Sequence, residues 1–275
     1  MTESTGHSDI ENPSPPPIIH WENIQNGRGK GRWTPEMAKT CSNNLHERIE
    51  TNRAYTFVVS LDIRKSTTVM LHYEDFNHYA ATMAEFLCRL KDKCHELGGW
   101  FDKFTGDGAL LFWTKEMEPT SKDIDQEFYR LASKVLEFCD YSQNLFINEI
   151  KHKFMVSAGC IPEKYGLSIG VDYGSCILTD LPMLGINREV MKRATDNVTV
   201  LGRAVVGAVR MCSAANADCV YWNQTAGNYL IHRPQLFEKY KISEVQAKNK
   251  DLQGDNQIAY DVSSVQLRCS DGDAT

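Results

Sequence analysis

The stretch that decides the fold is YTFVVSLDIRKST (55–67). Its first part, YTFVVSLDI (55–63), is mostly apolar and β-branched and predicts a strand buried on both faces, with Asp62 at its C-terminal end. Ser66 or Thr67 then caps a long helix that reaches about Glu96. This strand–turn–helix unit therefore presents a carboxylate where a buried sheet ends.

A second decisive stretch is WFDKFTGDGALLFW (100–113). Two short runs of apolar and aromatic residues flank the segment TGDG, which is a hairpin signal and puts Asp107 in the turn. Because the two strands of a hairpin are antiparallel, the sheet that contains them cannot be purely parallel.

The rest of the chain continues the alternation of helices and strands. A second long helix is predicted over about 124–148. Residues 199–216 predict the end of a strand, a glycine turn and a helix. Further strands are predicted at FMVSAGCI (154–161), LSIGVDYG (167–174), SCILTD (175–180), DCVYWNQ (218–224) and, at the sheet edge, QIAYDVSSV (257–265).

This order of elements predicts an α+β fold with a ferredoxin-like β-α-β-β-α-β core, a mixed, mostly antiparallel sheet and helices covering one face. The domain spans residues 55–262. Before it we expect a disordered tail and linker (1–32) and an accessory helix (33–54), which Thr34 and Pro35 open. Residues 263–275 are expected to be a C-terminal tail.

Composition restricts the partners. No apolar run approaches the roughly 20 residues of a membrane span, and the acidic, polar start lacks the features of a signal peptide, so we expect a cytoplasmic protein without a membrane partner. The nine cysteines form no CxxC pair and are expected to be reduced thiols. A formal charge of −6 argues against nucleic acid as a partner.

Asp62 and Asp107 both follow strands, where charged groups can converge outside a buried sheet. Two such carboxylates suit a pair of Mg²⁺ or Mn²⁺ ions, which prefer oxygen ligands and are shared with substrate phosphates. The carbonyl of Ile63 could join them, and the amides of Arg64, Lys65, Ser66 and Thr67 would face a triphosphate at a helix N-terminus. Taken singly, each aspartate also fits a helix cap or an ordinary hairpin turn.

Together, FVVSLDIRKST (57–67), GGWFDKFTGDGALLFW (98–113), LSIGVDYG (167–174) and TVLGRAVVGAVRM (199–211) closely resemble the ordered motifs of class III nucleotidyl cyclases. The resemblance covers roughly residues 55–262, and KFTGDG is its most specific part. It implies the class III cyclase fold, with two metal ions bound by Asp62 and Asp107. It also implies a nucleoside triphosphate as the substrate. The protein would then be a homodimer whose active sites lie between the subunits and contain residues of both chains.

The same resemblance implies further roles. Lys103 and Thr199 match the two positions that read the base, and Arg210 matches the arginine that stabilises charge developing on the phosphate. A guanidinium in that position typically contributes about a hundredfold or more in rate. The implied base pocket consists of Ser60, Lys103, Thr105, Thr199 and Leu201.

Val206 departs from the family pattern, which has a ribose-orienting asparagine four residues before the arginine. With the compact architecture and the DKFTGDG hairpin, this departure makes the chain most similar to the Pycsar pyrimidine cyclases of bacterial antiphage defence. That resemblance implies synthesis of cyclic UMP or cyclic CMP, which a separate effector protein binds. An adenylate cyclase and a cyclase-like regulatory domain remain alternatives. A GGDEF-type diguanylate cyclase is disfavoured, because the hairpin here contains TGDGA.

Overall fold

The computed structural model describes residues 53–73, 75–114, 124–158, 162–180, 198–247 and 257–264. The tail, the linker and nearly all of the expected accessory helix lie outside these residues, as does the chain beyond Ser264. The strands are β1 (Arg53–Arg64), β2 (Trp100–Phe104), β3 (Gly108–Thr114), β4 (Gly166–Asp180), β5 (Val198–Gly202), β6 (Val220–Asn223), β7 (Tyr240–Ala247) and β8 (Gln257–Ser264).

The helices connect these strands in the predicted alternation. A π-helical turn, Phe146–Ile150, joins α3 to α4, and a 3₁₀ turn, Pro234–Leu236, follows α6. The helices are α1 (Ser66–Leu71), α2 (Phe76–Glu96), α3 (Ile124–Leu145), α4 (Lys151–Ala158), α5 (Arg203–Ala214) and α6 (Gln224–His232).

All eight strands belong to one sheet with the order β2-β3-β1-β4-β6-β8-β7, and β5 pairs with β4 beside this path. Every strand pair is antiparallel except β4 with β6. The first part of the chain forms a β-α-β-β-α-β unit. The predicted α+β class, the ferredoxin-like core and the mixed, mostly antiparallel sheet are confirmed.

Strand β1 is buried on both faces, as its continuous apolar sequence predicts. Phe57 lies on the face covered by α2 and α3, where it contacts the ring of Phe128 at 5.0 Å between centroids. Val58 lies on the opposite face, in a second core cluster. Side chains of successive strand residues alternate between faces, so each face of β1 needs its own cover.

The expectation that helices cover one face only is wrong, because α5 packs against the other face. Gly170 of β4 makes this approach possible: a Cβ added there would lie 2.0 Å from the backbone nitrogen of Cys212 in α5. Ala204 and Ala208 give the same helix a small-residue face towards the sheet. The short side chains allow α5 to pack close to the strands.

The long helix predicted from Ser66 to Glu96 is two helices. Asp75 starts α2, and its carboxylate accepts a hydrogen bond from the backbone N–H of Asn77 at 2.9 Å. An aspartate N-cap of this kind satisfies an amide that would otherwise have no partner. The break leaves α1 as a separate short helix beside the end of β1.

The prediction of a strand at 154–161 is wrong for its described part, which is helical to Ala158. Phe154 is buried and packs against Tyr79 and Tyr165, with centroid distances of 5.3 and 6.4 Å. The apolar residues therefore serve a helix that extends α3. LSIGVDYG and SCILTD, predicted as separate strands, are both part of the continuous strand β4.

The last strand is not at the edge of the sheet. β8 lies between β6 and β7, and β7 forms the edge. The sequence YKISEVQA of β7 mixes charged and apolar residues, and most of its positions are exposed or half-buried. An edge strand of this composition gives little hydrophobic signal, so β7 was not predicted from the sequence.

Candidate active site

Asp62 and Asp107 are brought together by the pairing of β1 with β3. Asp62 is the last β1 residue in that pairing and lies opposite Gly108, the neighbour of Asp107. The turn between β2 and β3 is tight, with a 3.0 Å hydrogen bond from the backbone N–H of Thr105 to the carbonyl of Gly108. Gly106 has φ +88°, a conformation that glycine adopts without steric cost.

The negative charge of Asp107 acts on the carboxyl group of Asp62. Desolvation by burial raises the pKa of Asp62, the negative charge of Asp107 raises it further, and Arg64 opposes the shift. The Asp62 side chain is still 39% exposed and can be reached from solvent. Two like charges held this close favour a bound cation, and carboxylate oxygens are the ligands that Mg²⁺ and Mn²⁺ prefer.

The Ile63 carbonyl faces the same side of β1 as the Leu61 carbonyl. The Leu61 carbonyl points towards β3, where a Cβ added at Gly108 would lie 2.0 Å from its oxygen. Carbonyls of alternate strand residues face the same side, so Ile63 directs its carbonyl to that side as well. There the β1–β3 pairing has already ended, which leaves the Ile63 oxygen outside the ladder.

A cleft of about 440 Å³ opens beside the two carboxylates. Its lining contains seven residues that the sequence analysis selected, the run from Asp62 to Thr67 together with Asp107. It also contains Lys164 and the segment 215–217, which follows α5. Lys164 precedes β4 and adopts φ 64°. Lys164 was not predicted from the sequence, because nothing in its local pattern sets it apart from an ordinary loop lysine.

Residues Lys65, Ser66 and Thr67 form the turn into α1 at one wall of this cleft. Lys65 is exposed and has φ 65°, so the chain changes direction there. Ser66 is buried, and its hydroxyl donates a short hydrogen bond to Asp107 Oδ2. The Ser66 side chain thus orients a carboxylate, and its backbone amide lies in the first turn of α1.

The Arg64 side chain extends from the cleft wall to the C-terminal end of α5. Its guanidinium donates to the carbonyls of Cys212 and Ala215, the latter at 3.1 Å, and to Ser168 Oγ at 2.7 Å. It also lies 3.5 Å from Asp62 Oδ2. Arg64 therefore satisfies carbonyls at the C-terminal end of α5, as basic side chains often do.

Lys103 and Thr199, the two implied base-reading residues, lie next to each other. Lys103 Nζ is 3.4 Å from Thr199 Oγ1, although the two residues are 96 positions apart in sequence. Thr199 is buried, and the Lys103 side chain is partly exposed. Neither lines the cleft of Asp62 and Asp107. The structure thus divides the selected residues between a carboxylate cleft and a Lys103–Thr199 pair.

The other base-pocket residues are distributed around this pair. Thr105 is exposed in the hairpin turn, and Leu201 is exposed on β5. Ser60 is buried beneath α5, where its hydroxyl is hydrogen-bonded to the Cys212 thiol. Leu110 stands between Ser60 and Lys103 in the strand register. Ser60 is therefore a neighbour of α5 and is separated from Lys103 by one strand.

Arg210 lies on α5, on a part of the helix that the sheet does not fully cover. Val206, one helical turn before it, is 49% exposed, and Leu201 and Val209 are also exposed apolar residues. Arg210 is not among the described residues that line the cleft. Within one chain, then, the guanidinium and the carboxylates belong to different surfaces.

In the described part of the chain, no group of three or more histidine, cysteine, aspartate or glutamate side chains is arranged to hold a metal ion. Among the helices so described, none has the length and apolar character to cross a membrane.

No protein-family model matches the sequence, and no curated protein matches it. The fold does match solved structures, and it is the fold of class III adenylyl and guanylyl cyclase catalytic domains.

One similar structure is the adenylyl cyclase CyaB from P. aeruginosa, with 17% identity, a TM-score of 0.55, and 77% of this chain and 95% of that chain covered. Another is the guanylyl cyclase Cya2, with 16% identity, a TM-score of 0.54, and 77% and 93% covered. A third is the guanylate cyclase domain of RhGC from Catenaria anguillulae in complex with GTP, with 15% identity, a TM-score of 0.51, and 77% and 97% covered. At these identities the likeness shows a shared fold.

Proposed function

We propose that the protein is a nucleotidyl cyclase, which converts a nucleoside triphosphate into a 3′,5′-cyclic monophosphate and pyrophosphate. The observation that carries the proposal is the convergence of Asp62 and Asp107 in one cleft, where the charge of Asp107 helps to raise the pKa of Asp62. The cyclase fold and the ordered motifs of the sequence support the same activity.

Asp62, Asp107 and the Ile63 carbonyl would hold two divalent ions, Mg²⁺ or Mn²⁺. When bound, such ions activate the attacking 3′-oxygen and neutralise the departing pyrophosphate. Ser66 keeps Asp107 oriented through its hydroxyl. The backbone amides of residues 64–67 would contact the triphosphate, and Lys65 would add a positive charge at the exposed wall of the cleft.

Lys103 and Thr199 would bind the base, with Thr105 and Leu201 near them, and Arg210 would stabilise charge on the transferring phosphate. In the described chain these residues do not line the carboxylate cleft. We therefore propose a head-to-tail homodimer in which each active site combines the carboxylate cleft of one subunit with Lys103, Thr199 and Arg210 of the other.

We propose a pyrimidine triphosphate, UTP or CTP, as the substrate. Val206 cannot orient a ribose by hydrogen bonding as the asparagine of purine cyclases does, and Lys103 presents only donors, which slightly favours a carbonyl-bearing base such as uracil. The product would be a second messenger, cyclic UMP or cyclic CMP, in Pycsar-type antiphage defence, acting through a separate effector protein. An adenylate cyclase is the second candidate, since Thr199 is compatible with adenine.

The test is incubation of the purified protein with Mn²⁺ or Mg²⁺ and each of the four nucleoside triphosphates, with products identified by mass spectrometry. We expect cyclic UMP or cyclic CMP, together with pyrophosphate. If cyclic AMP is the sole product, the protein is an adenylate cyclase. If no substrate gives a cyclic product, the proposed cyclase activity is refuted.

Two variants complete this test. D107A should abolish turnover, whereas D92N, a charge removal at an exposed site on α2, should leave it unchanged. A regulatory domain would behave differently, because its biological effect would persist in D107A.

A further inference from the structure

Asp102 lies in a bulge of β2, beside the proposed base-reading lysine. The pairing with β3 moves from Phe101 opposite Leu111 to Lys103 opposite Leu110, so one extra residue is accommodated in β2. Successive side chains of a regular strand point to opposite faces. A bulge sets two residues against one, and here it lets the Asp102 carboxylate share a side of the sheet with Lys103.

The Asp102 side chain is almost completely enclosed, with 2% of its surface exposed. Its Oδ2 atom lies 3.2 Å from Lys103 Nζ and forms an ion pair with it. Within the described part of the chain, this oxygen accepts no well-aligned hydrogen bond. The Thr199 hydroxyl donates a hydrogen bond to the same carboxylate. Asp102 thus contacts both members of the Lys103–Thr199 pair.

Burial raises the pKa of Asp102, while the hydrogen bond from Thr199 and the charge of Lys103 lower it. A buried carboxylate is costly unless it is paired, so the three side chains depend on one another. With the Thr199 proton directed to Asp102, only the lone pairs of the hydroxyl remain for a ligand. The Lys103 ammonium has three N–H groups, so it can contact Asp102 and Thr199 and still donate outwards.

We propose that Asp102 is a positioning residue for nucleobase selection: it holds Lys103 as a donor and Thr199 as an acceptor against one edge of the base. The inference rests on the proposed function, because it places a nucleobase at this pair. It goes further in naming the group that fixes the direction of each hydrogen bond. Bulges often re-aim side chains in this way next to active sites.

Replacing Asp102 by asparagine tests this role. The amide is nearly the same size but removes the charge, and its NH₂ group can donate to Thr199, which frees the hydroxyl to act as a donor. We expect D102N to bind the preferred nucleotide about tenfold or more weakly and to discriminate less between bases. Binding of the triphosphate group alone should not change.

The experiment measures binding by calorimetry, with Mn²⁺ and the four 3′-deoxynucleoside triphosphates, which lack the attacking oxygen, and with inorganic tripolyphosphate. D92N is the matched control, because it makes the same change at an exposed position. T199V in the D102N background should add little further loss, and T199S alone should retain the preference. These results would show that Asp102 acts through Thr199.

Three outcomes would overturn the inference: equal binding of all four nucleotides by the wild-type protein, equal base discrimination by D102N and D92N, or a loss of tripolyphosphate binding in D102N as large as its loss of nucleotide binding. The first two remove base selection from Asp102, and the third assigns it a general structural role. Base-selective binding without any cyclic product would instead refute the proposed cyclase activity, and the positioning role of Asp102 would still hold.

Discussion

Replacing Arg64 by alanine should destabilise the fold even in the absence of nucleotide. The guanidinium donates to the carbonyls of Cys212 and Ala215 at the end of α5 and to Ser168 Oγ. Hydrogen bonds from charged donors each contribute about 1.5–3 kcal/mol, and they are not additive. Since the Arg64 side chain is 27% exposed, water replaces part of the loss. We expect a net decrease of about 3 kcal/mol in the free energy of unfolding.

The assay is urea denaturation followed by circular dichroism and tryptophan fluorescence, with a thermal melt as a second measure. A loss of about 3 kcal/mol in a domain of this size corresponds to a decrease in Tm of about 6–12 °C. R64K should give an intermediate loss, because a single ammonium cannot bridge two carbonyls and a hydroxyl. R89A is the control, since Arg89 pairs with the exposed Glu149 and should contribute about 1 kcal/mol or less.

Equal stability of R64A and R89A would contradict this prediction. In that case the contacts beneath α5 contribute nothing, and a rise in the KM for nucleotide in R64A would show that the side chain binds phosphate instead.

Four other variants test further features of the structure. Burial raises the pKa of Asp172 to about 6, so its native state binds a proton more tightly than the unfolded chain with a pKa of 3.8. This contribution to stability is complete below about pH 4, and about 3 kcal/mol of it is lost as the pH rises through about 6. Denaturation at several pH values should therefore show a free energy of unfolding that depends less on pH in D172N than in wild type. G207A places a Cβ 1.8 Å from Asp172 Oδ2 and should cost about 2–3 kcal/mol in a urea melt, whereas G106A meets no atom within 4 Å and should cost only the strain of φ +88°, about 1–2 kcal/mol. V206N alters a side chain that is 49% exposed, so we expect stability within about 0.5 kcal/mol of wild type and, if the ribose argument holds, a higher ratio of ATP to UTP turnover in the substrate panel.

The strand–turn–helix and hairpin segments were predictable because their signals are local. Two-sided burial of β1 follows from its continuous apolar sequence, and the position of the hairpin follows from the glycines on either side of Asp107. The convergence of Asp62 and Asp107 in one cleft needs only that β1 pair with β3, which the topology of a β-α-β-β-α-β unit supplies.

Other features depend on tertiary contacts that no local pattern records. Residues 154–158 have the composition of a strand, yet Phe154 packs as part of a helix against Tyr79 and Tyr165. The edge strand β7 is stabilised by pairing along the whole of β8, not by burial of an apolar face. Asp102 was passed over because its importance arises from a bulge, and a bulge has no signature in the letters WFDKF.

The most direct test of the central claim is the number of Mn²⁺ ions bound per active site, measured by electron paramagnetic resonance with a 3′-deoxynucleoside triphosphate present. If Asp62 and Asp107 share a pair of ions, the wild-type protein should bind two, and D62N and D107N should each lose at least one. Equal Mn²⁺ binding by wild type and both variants would contradict the account.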